Sequence, residues 1–516
     1  MLSALTGLLL GAGASYEVGM PLVWDITNEL KQWLTPDKLR AFNAGWRDQG
    51  GGYPDLVIDD LAAALVRPEL HYEAILGHLE TQFRRFEKSA KRNDYHGLYS
   101  WLVEAVYYIL HLRHIQNVPQ IERSLRYLDG LANLAASNAP LWVFSLNHDV
   151  LVECVAARQG LPLNCGFTSE RVTLPRRDGT LTRIGDLHAE VLPGEQIDKS
   201  YLPFFQSGQQ GINLLKIHGG LDIFTFRNGA DLLRILPLDG SVTGVIEALR
   251  AANEELFYQA SNGRRAKATN EIAYADDAGE MQFLRRSLLA GAFKFDNRES
   301  QVLPKKMLQH FQSNLAYVTT LVCIGYGFGD IHINQVIRDW LQTVSDRRIE
   351  IVSPGTKAIP GFLLHLAPQV TAWDTTATDF LDQRAAIVRD PLYAVERRFA
   401  AWMRKRDRAY VQVELQKFMQ KQHDNLVKAF VEKVTQLPRR EGGIDLAALG
   451  TTAPELGQRM AAELTGPFEE LLGSFMREME HRETSERAYY RWVNGGREHA
   501  RDMEDWYVAE GTLRGS

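Results

Sequence analysis

Cysteine is scarce: Cys154, Cys165 and Cys323 are the three in 516 residues, they lie far apart, and no CxxC pair occurs. A structural zinc site and a disulfide framework are thereby excluded, and the usage fits a reducing cytoplasm. A net basic charge is lacking too. With a formal net charge of -6, no global field holds nucleic acid by counterion release. The basic run Arg404-Lys405-Arg406-Asp407-Arg408 reads as the solvated face of a helix, and direct nucleic-acid binding is not indicated. No apolar run approaches the ~20 residues of a membrane span, and no membrane partner is expected. The leucine-rich start has no basic residue before Lys31, so it is not read as a signal peptide. Also missing is the dinucleotide fingerprint GxGxxG, because Tyr16 stands where its third glycine belongs.

What is present is ordinary for a folded chain, with 45% hydrophobic and 24% charged residues. Residues 8–10, all leucine, read as a short buried strand running into Gly11-Ala12-Gly13-Ala14-Ser15 and then a helix from Asp25 to Leu34. The same grammar of strand, polar or glycine turn and helix recurs. Residues 141–146 form an apolar strand ending at Asn147-His148-Asp149, and residues 212–217 one ending at His218-Gly219-Gly220. Residues 319–324 lead into Gly325-Tyr326-Gly327-Phe328-Gly329-Asp330, and residues 348–355 and 369–373 supply two further strands.

Several parallel strands with intervening helices predict an α/β fold, a Rossmann-like doubly wound parallel sheet with helical insertions. One insertion is helical by period, about residues 36–135, with stripes at Ile75, Leu79 and Phe83 and at Leu98, Leu102 and Ile109. A second, about 223–318, is of mixed character, and its basic loop at Arg264-Arg265 has no legible role. The expected domains are 1–385 and a helical C-terminal region, 386–516.

Glycine lacks the Cβ that keeps a backbone amide from a pyrophosphate, so Gly11 and Gly13 suit a phosphate turn, with Ser15 as a further donor. A plain tight turn is the competing reading. Asn147, Asp149 and His218 follow strands whose carboxyl ends share one sheet edge, where ligands of such sheets bind. Taken singly, His218 reads as a structural histidine and Asn147 or Asp149 as a helix cap. Asp330 either caps the next helix or touches the cofactor.

In order along the chain these segments resemble the sirtuin family. Gly11-Ala12-Gly13-Ala14-Ser15 with Gly19 and Pro21 is similar to its cofactor loop, and Ser145-Leu146-Asn147-His148-Asp149 to its Thr-Gln-Asn-x-Asp segment. Lys216-Ile217-His218-Gly219 is similar to the strand that carries its catalytic histidine, and residues 325–330 to its later glycine turn. The departures are informative. An arginine expected after Pro21 is absent, Leu146 replaces the usual glutamine, and the two CxxC pairs of the zinc module are missing. The chain is therefore most similar to divergent bacterial members that hydrolyse NAD in anti-phage defence by abortive infection.

The resemblance implies NAD as substrate and no zinc, with Asn147 and His218 as catalytic residues. It assigns Gly11, Ala12, Gly13, Ser15, Pro21, Asp149, Gly325, Gly327 and Asp330 to cofactor binding. It further implies a cytoplasmic homo-oligomer and a possible partner protein such as a DNA translocase ATPase or a short Argonaute. NAD-dependent deacylation or ADP-ribosyl transfer, and non-catalytic sensing of NAD or ADP-ribose, are the rival expectations.

Overall fold

The computed structural model describes residues 5–288 and 306–390, apart from positions 90, 200, 264, 267 and 357. Beyond 390 it describes residues 431–440, 443–494 and a few positions between 393 and 428, so the basic run at 404–408 lies outside the described residues. The chain divides into two compact units, Met1–Ile387 and Val388–Ser516.

In the first unit the strands in chain order are β1 (Thr6–Leu10), β2 (Leu141–Ser145), β3 (Leu163–Asn164), β4 (Arg171–Arg177), β5 (Arg183–Leu192), β6 (Ile212–Lys216) and β7 (Ile223–Phe226). There follow β8 (Asp231–Ile235), β9 (Glu271–Ala275), β10 (Met281–Arg286), β11 (Thr320–Ile324), β12 (Arg348–Val352) and β13 (Val370–Trp373). Seven of them form a wholly parallel sheet in the order β13-β12-β11-β1-β2-β6-β3. The sheet is helix-covered on both faces, the doubly wound α/β arrangement.

The leucines of β1 show why. Side chains alternate across a strand, so Leu8 and Leu10 enter the apolar cluster of the large helical insertion, while Leu9 enters the opposite one with Phe144, Leu215, Cys323 and Phe311. A strand buried on both faces needs a continuous apolar run rather than alternation. The helical insertion comprises Pro36–Asp48, Asp55–Leu65, Tyr72–Arg85, Lys91–Ile115, Val118–Ser124 and Gly130–Ser137.

The insertion of mixed character is a second sheet. Six antiparallel strands in the order β4-β5-β8-β7-β10-β9 pack against the helix Val242–Glu254. That helix gives Ala248, Ala251 and Ala252 to the second sheet and Val245, Ile246 and Leu249 to the main core, which joins the two layers. The sheet begins at Arg171, well before the expected start near 223. Its first strand, Arg171–Arg177, carries three arginines among seven residues, and that hides it from a search for apolar runs.

His111, in the helix Lys91–Ile115, is 2% exposed and stacks on Tyr107 at 5.9 Å. Burial, reinforced by His114 and Arg286, lowers its pKa to about 4. An unfolded histidine titrates near ~6.5, so between those values the unfolded chain takes up a proton that the folded chain refuses. Stability is therefore complete above about pH 6.5 and falls as pH drops toward 4, by about 3 kcal/mol from this residue. Denaturation curves at pH 7.5 and 4.5 should show that His111→Phe loses less stability on acidification than the parent.

The second unit holds a short ladder, Arg439–Arg440 with Gly443–Ile444, and the helix Ala453–Asn494. Thr452 and Glu455 open that helix with reciprocal backbone bonds, Thr452 N–H to Glu455 Oε2 at 2.7 Å and Glu455 N–H to Thr452 Oγ1 at 3.5 Å. Among the described residues no helix is long and apolar enough to cross a membrane.

Candidate functional site

Strand register assembles the site. Leu10 pairs with Ser145 and with Ile324, and Ser145 with Lys216, so four strands end level. Gly11, Asn147, His218 and Gly325 follow those ends and emerge together at the carboxyl edge. The sheet order reverses between β1 and β11, the crevice position for ligands in such sheets. A cavity of about 640 Å³ opens there, and of the eleven residues expected at the site ten line it, Gly13 being the exception.

The two glycine turns pack backbone against backbone. A Cβ on Gly11 would stand 2.5 Å from the Gly325 carbonyl oxygen, one on Gly13 would stand 2.7 Å from Gly325 Cα, and one on Gly325 would stand 2.3 Å from Ala14 N. Gly325 also has φ +62°, a region that disfavours side chains. The Gly11 amide donates to Ile324 O at 2.9 Å and the Gly13 amide to Gly325 O at 3.0 Å. The amides of Gly11 and Gly13, expected to face a pyrophosphate, thus have carbonyl partners at Ile324 and Gly325. Ala12, which lines the cavity and opens the following short helix, keeps an amide with no acceptor in that helix.

Asn147 clamps this turn. Its Nδ2 donates to Gly11 O at 2.9 Å and to Ser15 Oγ at 3.0 Å, an orientation fixed because a carbonyl can only accept. Oδ1 is then the Asn147 atom left to accept from a ligand. Ser15, expected as a donor to phosphate, accepts from Asn147 and is 5% exposed. Asp149 lines the cavity, yet its Oδ1 accepts from Leu151 N at 3.1 Å at the start of the helix Leu151–Gln159.

His218 and Asp330 meet across the site. Nε2 of His218 lies 3.2 Å from Oδ2 of Asp330, and both side chains are at least nine-tenths buried. The other oxygen of Asp330 caps the helix Ile331–Thr343 by accepting from His332 N at 3.0 Å and Ile333 N at 3.2 Å. The two readings of Asp330 are thus compatible, one per oxygen. Nε2 is thus within ion-pair reach of a carboxylate oxygen, and Nδ1 is the other ring nitrogen. Tyr326 holds the turn: burial keeps its hydroxyl protonated, and it lies 3.1 Å from Asp330 O and 3.0 Å from Asn334 Oδ1.

Beneath the His218 loop lies a buried charge cluster. Lys216 Nζ contacts Glu153 Oε1 at 2.5 Å and Asp222 Oδ1 at 2.8 Å, while Arg234 Nε meets Asp222 Oδ2 at 3.2 Å. Burial alone would depress the lysine pKa, but the two carboxylates raise it. Burial likewise opposes ionisation of Asp222, and Lys216 and Arg234 overcome it to lower that pKa. The cluster ties β6, the helix Leu151–Gln159 and β8 together around residues 217–221.

The family described as "Protein of unknown function (DUF2934)" matches residues 479–514. No curated protein matches the chain. The matched segment falls within the second unit of the chain.

Sequence reasoning missed several cavity residues. Trp24, three residues after Pro21, lines the cavity and meets His71 edge-on at 5.8 Å. His148, whose ring centre is 6.4 Å from that of His218, was visible in the polar cluster but not singled out. His71 comes from the helical insertion, and no local pattern marks it. Among the described residues no group of three or more His, Cys, Asp or Glu is placed to hold a metal ion.

Proposed function

We propose that the cavity binds NAD and hydrolyses its nicotinamide glycosidic bond, giving nicotinamide and ADP-ribose. The observation that carries this reading is the convergence of Asn147 and the His218–Asp330 pair beside two packed glycine turns at the sheet's switch point. Its volume of about 640 Å³ lies within the ~300–1,000 Å³ of small-molecule sites.

Nicotinamide leaves as a neutral ring that takes the bonding electron pair, so the departing group needs no strong acid. Positive charge builds on the ribose, as in glycoside cleavage generally. The oxygen of water forms the new bond to the ribose carbon and one water proton is released. Asn147 Oδ1 would accept from a ribose hydroxyl or from the attacking water, holding it in place. His218, oriented by Asp330, would take the proton through Nδ1. Ala12 and Ser15 would meet the phosphates, and the open side of Gly327, where an added Cβ meets nothing within 4 Å, leaves room along the later turn. In a bacterial cell the consequence would be NAD depletion, the abortive-infection outcome that the sirtuin resemblance implies.

The test is chromatography of NAD incubated with the full chain. Nicotinamide and ADP-ribose in equal amounts are expected. Nicotinamide accompanied by a modified protein instead would assign the site to ADP-ribosyl transfer, and bound, intact NAD would assign it to sensing.

A further inference from the structure

A second cavity of about 670 Å³ lies between the helical insertion and the antiparallel sheet, and Arg265, from the stretch whose role the sequence left open, lines it. One wall is a single face of the helix Lys91–Ile115: Trp101, Glu104, Ala105 and Tyr108 recur at the i, i+3, i+4, i+7 spacing. Trp46 meets Trp101 edge-on at 5.0 Å, and Trp33, 42% exposed, adds a third indole. Three indoles and a phenol around one hollow exceed what packing between two layers requires, because such rings are normally driven inside rather than left half open.

The rest of the lining is mixed, Leu256, Ile272 and Ala273 beside Asn253, Glu271, Arg265 and Arg286. Arg286 is 2% exposed and donates to Glu104 Oε1 at 3.1 Å, Tyr108 Oη at 3.2 Å and Asn253 Oδ1 at 3.1 Å. Its buried Nε has no acceptor among the described residues, a donor whose cost an incoming acceptor would relieve. Arg265 stands exposed at the rim, donating to Glu254 O at 2.9 Å and lying over the Phe257 ring at 4.5 Å. Arg264 and Lys267 flank it in the sequence.

Glu104 pairs with Arg286 at 3.1 Å and Glu271 also lines the hollow, so Arg265 at the rim is the cation left for a ligand. Flat π faces inside and this guanidinium at the rim suit a ligand with an aromatic ring at one end and negative charge at the other. We propose that this cavity is a binding site for a nucleoside phosphate, its base against Trp33, Trp46 and Trp101 and its phosphates at Arg265. Base stacking on aromatic rings tolerates any base, and arginine is the residue suited to phosphate. Nothing in this assignment depends on NAD cleavage, and no residue of the first cavity lines the second.

Calorimetric titration of the full chain with GDP tests it. GDP is expected to bind, with affinity at least about tenfold weaker in Trp33→Ala and in Arg265→Ala, two exposed positions whose folding circular dichroism can verify. His218→Ala should bind GDP as the parent does. The proposal is overturned if the parent shows no GDP binding at millimolar concentration, or if the two variants bind as tightly as the parent. It is also overturned if His218→Ala weakens GDP binding as much as they do, since that would place the nucleotide in the first cavity.

Discussion

His218→Ala is expected to lower NAD turnover about 10³-fold, the middle of the range for removing a general acid or base, with little change in NAD binding. The imidazole sits 3.2 Å from Asp330 and lines the cavity, so its loss removes a proton acceptor without opening the turns that would hold the phosphates. Asp330→Asn separates orientation from basicity. An amide can still cap the helix at His332 and Ile333, but it no longer presents a carboxylate to Nε2, so turnover should fall while the parent's stability is kept. Rate measurements at saturating NAD, with binding followed by calorimetry, check both. Equal turnover in His218→Ala and the parent would remove His218 from the chemistry.

Lys216→Met is expected to destabilise the first unit by about 3–5 kcal/mol, the cost of leaving buried charges without their partner. Lys216 is the cation between Glu153 and Asp222, all three at least nine-tenths buried. Methionine matches its length and supplies no charge, which leaves Asp222 with Arg234 alone and Glu153 with none of its contact. A lowered denaturation midpoint for the parallel-sheet unit is the readout. Lys216→Arg, which keeps the charge, should cost less. A Lys216→Met change under about 1 kcal/mol would mean that the cluster is effectively solvated rather than dry.

The parallel strands were legible because a strand buried on both faces is built on a continuous apolar run, as at residues 8–10, 141–144 and 321–324. The antiparallel sheet was not. In β5 Leu187, Ala189, Val191 and Leu192 are fully buried while His188 and Glu190 between them are not, a short alternation that gives a weak signal inside a polar stretch. At the site, strand ends predicted which residues share an edge, since register carries that information. Hydrogen-bond partners were beyond reach. The bond from Asn147 to Gly11 spans 136 positions, and the pairing of His218 with Asp330 links two turns that meet only after the sheet forms. Gly11 and Gly13 were read as points of close approach for a pyrophosphate, and the structure places the backbone of Gly325 against both.

The most direct test of the account is NAD cleavage in ¹⁸O-labelled water, parent and Asn147→Ala side by side. The account predicts nicotinamide and ADP-ribose in equal amounts from the parent, the label on the ribose carbon released from nicotinamide, and no product above background from the variant. ADP-ribose formed equally fast by Asn147→Ala, or nicotinamide released without labelled ADP-ribose, would contradict it.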